Sequence, residues 1–209
     1  MTRRLALGAA LFLSACGGDA DGTAAASGRD GTAQEGLDAC FTGDVPEGLG
    51  LVQRRADAGE PDALTARALC RWMAFAADSV RADAQDALAD YDAAIAAAET
   101  GASQTPVDGL LSQRAFARLM LDADGWEAVI EDLDAAAARA PGDARHVLDR
   151  AFVHLAAGDS AAAVQDFERV LLVDATDTTR VELAQQALGD LTGVPPEAFF
   201  RDQETVVFD

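Results

Sequence analysis

Three cysteines, two histidines and a recurring partnership of arginine with aspartate are the residues of this 209-residue chain whose types could do chemistry. A structural zinc needs clustered Cys or His ligands at short spacing, and Cys40 and Cys70 are 30 residues apart. The same separation rules out a redox dithiol of the C-x-x-C kind. His146 and His154 stand eight residues apart on one predicted helix, with no persuasive triad around either. Asp122-Ala123-Asp124-Gly125 carries its Gly two places too early for a calcium loop and reads as solvated acids in a turn. Asp19-Ala20-Asp21-Gly22 is followed by no ligand series. No catalytic residue, metal site or cofactor is expected.

What does recur is a phrase: Arg67-Ala68-Leu69-Cys70-Arg71-Trp72, then Arg114-Ala115-Phe116-Ala117-Arg118-Leu119, then Arg150-Ala151-Phe152-Val153-His154-Leu155. Each copy is answered downstream by an Asp before a large apolar residue, at Asp90-Tyr91, Asp132-Leu133 and Asp166-Phe167. The arginines might have formed a row of cations for an acidic ligand, but their spacing points to structure. Arg150 to Asp166 is 16 residues, Arg114 to Asp132 is 18 and Arg67 to Asp90 is 23. Removing extra residues from longer turns, two in the second hairpin and seven in the first, restores one register. Each Arg is then expected to face the Asp of its own helical hairpin, where the guanidinium fork can bind the carboxylate in a bidentate way.

The elements that must hold these residues are helices. Aromatic residues are 6% of the chain, Ala is abundant and apolar residues recur at helical spacing, an all-α composition. Between the second and third copies the Asp phrase recurs after 34 residues and the Arg phrase after 36. With Ala151 and Ala163 in the small slots, Phe167 in the large one, Gly158-Asp159 as the turn and Pro141 closing the second copy, the chain resembles the tetratricopeptide repeat. It departs from that pattern at Ala175, where the family has Pro, and at His154, where the family prefers a packing ring.

The resemblance implies a right-handed superhelical array of three hairpins with an N-terminal capping segment and a C-terminal capping helix. The hairpins are predicted over Pro61 to Glu99, with a long turn around Asp78 to Ala84, over Gly109 to Ala140, and over Asp143 to Asp174. A short helix over Pro46 to Ala58, weakened by Gly48 and Gly50, would cap the first. A helix over Arg180 to Leu188, capped by Thr178 or Thr179, would close the last. First helices of such repeats line a concave face that meets partners, so Leu69, Trp72, Met73, Phe116, Leu119, Met120, Phe152 and Leu155 are candidates for an apolar groove. The competing expectation is that several of them pack between neighbouring hairpins.

The ends of the chain carry a second resemblance. Residues 1–15 pair a basic start with an apolar run, Leu5 to Leu13, too short to span a bilayer, and are read as a signal peptide. The run ends in Leu13-Ser14-Ala15-Cys16, which looks like the lipobox of bacterial lipoproteins and implies a lipid on Cys16. Gly17 rather than Asp after the Cys makes the outer membrane the expected site, on the periplasmic side. Residues 16–36 read as the lipidated Cys and a flexible tether, residues 37–193 as the helical domain, and residues 194–209 as an apolar tail with Phe199, Phe200, Val206, Val207 and Phe208. In an oxidising compartment Cys40 and Cys70, the two remaining thiols, are expected to form a disulfide.

Sixteen Arg, no Lys and 36 acids give a formal charge of -20, which excludes a nucleic-acid partner and electrostatic attachment to an anionic membrane. The expected function is an adaptor or scaffold that binds another cell-envelope protein, with no catalysis. The alternatives are a carrier of a small ligand or peptide in an apolar groove, and a thiol redox protein using Cys40 and Cys70.

Overall fold

The structure, a computed structural model, describes residues 31–103, 105–122, 125–173 and 177–194. The signal peptide, the lipobox Cys16 and the apolar tail from residue 195 onward lie outside them. Among the described residues the chain forms nine helices: α1 (Ala33–Phe41), α2 (Val45–Asp57), α3 (Pro61–Asp78), α4 (Arg81–Glu99), α5 (Val107–Leu121), α6 (Trp126–Arg139), α7 (Ala144–Ala157), α8 (Ser160–Val173) and α9 (Thr178–Thr192). The chain divides into two compact units, Met1–Asp132 and Leu133–Asp209, and the division falls within α6.

Folded structure begins earlier than the expected boundary at residue 37. The Gly31 N–H donates to the Leu51 carbonyl at 3.1 Å. Thr32 then opens α1 with a reciprocal cap: its hydroxyl accepts from the Glu35 N–H at 3.1 Å, and the Glu35 carboxylate accepts from the Thr32 N–H at 2.6 Å. Such a capping box satisfies two amide donors that the first helical turn leaves without partners. The Gly and Ala around it look like tether, but α1 is stabilised by packing on α2 and α3.

α1 and α2 cross where both carry glycine. A Cβ on Gly48 would lie 2.1 Å from the Cys40 sulfur and 2.6 Å from the Gly36 carbonyl, and a Cβ on Gly36 would lie 2.3 Å from Val52. The loss of helix propensity at Gly48 is therefore the condition for close approach of the backbones. Gly48→Ala is expected to lower unfolding stability by about 1–3 kcal/mol through overpacking, although Ala is the better helix former by about 1 kcal/mol. Urea unfolding checks this, and an equal or higher midpoint would reject the close crossing.

The first hairpin has no long turn. Only Ser79 and Val80 separate α3 from α4, with Ser79 in the left-handed region at φ 62°. The seven extra residues instead lengthen both helices, by about one turn of 3.6 residues on each arm. A whole turn added to each arm returns the side chains to the same face, which keeps Arg67 in register with Asp90. In the second hairpin α5 ends at Leu121 and α6 begins at Trp126, so the two extra residues lengthen neither helix.

In the first unit Ala68, Leu69, Ala87, Tyr91 and Ala117 form one buried cluster, against which Leu37, Trp72 and Leu88 pack. In the second, the core joins α7, α8 and α9 through Val147, Leu148, Ala151, Ala163, Phe167, Val170, Val181, Ala184 and Leu188. The small residues Ala151 and Ala163 are fully buried, as is Phe167, whose ring meets Phe152 edge-on with centroids 5.2 Å apart. α9 is longer than the expected 180–188 span. It is capped by Asp177, whose carboxylate accepts from the Arg180 N–H at 3.0 Å, and not by Thr178 or Thr179.

Candidate functional site

The arginines of the repeated phrase build a regular polar array. Arg67 Nε and Nη2 donate to the two oxygens of Asp90 at 2.9 and 2.7 Å. Arg114 does the same to Asp132 at 3.0 and 2.5 Å, and Arg150 to Asp166 at 2.8 and 2.6 Å. Each carboxylate is enclosed by protein, with 6, 3 and 9% of the Asp90, Asp132 and Asp166 side chains exposed. The geometry is the two-pronged guanidinium–carboxylate match that makes such pairs directional.

Two further sets of residues extend the array, one of acids outside the repeated phrase and one made by the fifth residue of the phrase itself. Each Arg turns its remaining nitrogen, Nη1, to an acid on the preceding helix: Arg67 to Asp57 on α2 at 2.5 Å, Arg114 to Asp92 on α4 at 2.7 Å, and Arg150 to Asp134 on α6. From the other side, Arg71 and Arg118 donate to Asp90 and Asp132 at 2.7 and 2.8 Å. His154 takes the corresponding place in the third copy, 3.9 Å from Asp166. Each first helix is thus fixed both to its own second helix and to the helix before it. Hydrogen bonds donated to Asp90, Asp132 and Asp166 respectively hold the Arg67, Arg114 and Arg150 guanidinium groups even further above the ordinary range, against the opposing effect of burial. The D-x-D spacing of Asp90 with Asp92, and of Asp132 with Asp134, is a signal in the sequence for two of the three acids, and Asp57 has no counterpart of it.

The candidate groove residues separate into two groups. Leu69 and Phe116 are buried and belong to the interior of the first unit, which removes them from any surface. They follow the small Ala of the phrase, and in these two copies that position turns inward with it. Trp72, Met73, Leu119 and Met120 remain half-buried in the first unit. Phe152 and Leu155 are half-buried too, packed against the core of the second unit.

Cys40 on α1 and Cys70 on α3 are both fully buried, and their sulfur atoms lie 2.00 Å apart, at disulfide distance. His146 is buried 3.9 Å from Asp143. Among the described residues no group of three or more His, Cys, Asp and Glu could hold a metal ion, and no helix is long and apolar enough to cross a membrane. No protein-family model, curated protein or solved structure matches the chain.

Proposed function

We propose that the protein is a lipid-anchored adaptor of the cell envelope, built from three hairpins that resemble tetratricopeptide repeats in a right-handed superhelix, and that its role is to bind another envelope protein. The observation that carries this reading is the commitment of Arg67, Arg114 and Arg150 each to two carboxylates of their own chain. The cations that might have gripped an acidic ligand are consumed in alignment, so the repeat serves as scaffold. What the first helices leave for a partner is apolar: the half-buried Trp72, Met73, Leu119 and Met120 of the first unit. Half-buried apolar side chains of this kind would suit a helical or extended peptide whose side chains insert at intervals. The formal charge of -20 favours a partner with basic residues beside the apolar ones. The lipobox-like Leu13-Ser14-Ala15-Cys16 supports the anchor, because one covalent lipid site can hold a chain to a membrane that the charge would repel.

Both halves of the reading are tested in intact cells. A photo-crosslinking side chain at Met73 or Met120 is expected to give one discrete adduct with an envelope protein, while the same group at the exposed Asp86 gives none. Equal labelling at all three positions would remove the apolar row as the binding face. Cys16→Ser is expected to move the protein from the membrane to the soluble fraction, and retention in the membrane would overturn the anchor.

A further inference from the structure

One acid of the second unit stands outside the polar array. Asp149, the residue before Arg150 on α7, is 3% exposed, and its Oδ1 has no hydrogen-bond partner. Asp166, on the neighbouring α8, by contrast accepts two hydrogen bonds from Arg150. A buried carboxylate without donors is strongly disfavoured, whereas a carboxylic acid tolerates the same surroundings far better. On α9, Gln185 is also buried, and its Nε2 has no hydrogen-bond partner.

The charges that act on Asp149 come from Arg145 on its own helix, Arg180 on α9 and Asp143 at the start of α7. Both cations are already engaged by cap carboxylates. Arg145 donates to Asp143 at 2.5 to 3.0 Å, and Arg180 Nη1 lies 2.7 Å from Asp177. Burial opposes the ionised form of Asp143, but hydrogen bonds from Arg145 prevail and hold its carboxyl below the usual range, so that it stays an anion. At Asp149 burial is the dominant influence and pushes the carboxyl up to about 7, with Arg145 and Arg180 pulling the other way.

We propose that Asp149 is a proton-operated latch for α9: as a neutral acid it lets that helix close against α7, and on ionisation it loosens α9 while α7 and α8 stay folded. α9 covers the end of this unit's core through Val181, Ala184 and Leu188. Loosening it would bare the apolar faces of α7 and α8 in response to an alkaline shift. The sign follows from linkage. The closed state holds the Asp149 proton more tightly than an open state in which the carboxyl titrates near 3.9. Closure is therefore complete in acid, is lost progressively as pH rises between the two values, and loses nothing further above the higher one.

The test is amide hydrogen exchange on the full mature chain, corrected for intrinsic exchange rates, from pH 5 to pH 8. The protection of α9 in the unsubstituted protein is expected to fall by about tenfold per pH unit up to about pH 7 and then level off. Asp149→Asn, which keeps the shape and fixes neutrality, is expected to change less than threefold over the same range. His146 is a second buried titratable group on α7, so the Asn variant separates its contribution from that of Asp149. A pH-independent α9 in the unsubstituted chain would overturn the latch. So would an Asn variant that retains the full pH dependence, and so would a loss of protection spread evenly over α7, α8 and α9.

Discussion

Asp90→Ala is expected to cost the protein about 3–5 kcal/mol of unfolding stability, because it leaves two guanidinium groups facing a vacancy in a nearly closed space. Arg67 and Arg71 both donate to Asp90, and the Arg67 side chain is only 9% exposed. Arg67→Ala should cost less, since Arg71 remains to answer Asp90. The double variant should lose less than the sum of the two single losses, by about 1–3 kcal/mol, the range found for contacting residues. Urea unfolding of the four proteins gives the cycle. Additive losses would reject the pairing and reopen the case for arginines that await an acidic ligand. The same cycle on Arg150 and Asp166 should give a smaller coupling, because the Arg150 side chain is 18% exposed and more open to screening by solvent.

Breaking the link between Cys40 and Cys70 is the other large effect. The two residues are 30 apart in sequence, and the chain-entropy description assigns a closed loop of that size about 3–4 kcal/mol. Cys40→Ala with Cys70→Ala should show this loss, concentrated in the N-terminal helices. Hydrogen exchange is expected to accelerate over residues 31–57 and to be unchanged over 144–192. α1 and α2 have little else of comparable strength: α1 is nine residues long, and α2 contains Gly48 and Gly50. Thiol titration of the mature protein should find neither Cys40 nor Cys70 until the chain is both unfolded and reduced. Two titratable thiols in the native protein would refute the bridge and would remove the reason for a local effect.

The pairs within hairpins were legible in the sequence because a bidentate ion pair tolerates little change of register. Separations of 16, 18 and 23 could be reconciled only by insertions that preserve facing, and the facing pairs are where Arg67, Arg114 and Arg150 find Asp90, Asp132 and Asp166. Where the seven extra residues went was not legible, since two added helical turns and a long loop conserve register equally well. The bridges to Asp57, Asp92 and Asp134 were harder still. Their separations of 10, 22 and 16 share no period, because the segments that join one hairpin to the next differ in length. Leu69 and Phe116 were placed on a possible groove by their position on first helices. Whether such a position is covered depends on the volume of the neighbouring helix, which no local pattern records. Asp149 was missed for a related reason: an acid beside an Arg on a helix reads as solvated, and only the folded unit shows it buried.

The array of ion pairs also bears on how one hairpin is joined to the next. Each second helix of the first two hairpins offers an acid two residues beyond its paired Asp, Asp92 after Asp90 and Asp134 after Asp132, and the next first helix supplies the Arg that takes it. The third hairpin still makes the offer, with Glu168 two residues after Asp166. Thirty-four residues beyond Arg150, however, the chain has Ala184, and it is buried in the core. Acid and cation thus act as the two ends of a coupling between successive helices, and α9 carries a buried apolar residue where the spacing would place the next cation. Addition of repeats by gene duplication would need no new design at the junctions, because a copied hairpin brings both ends with it.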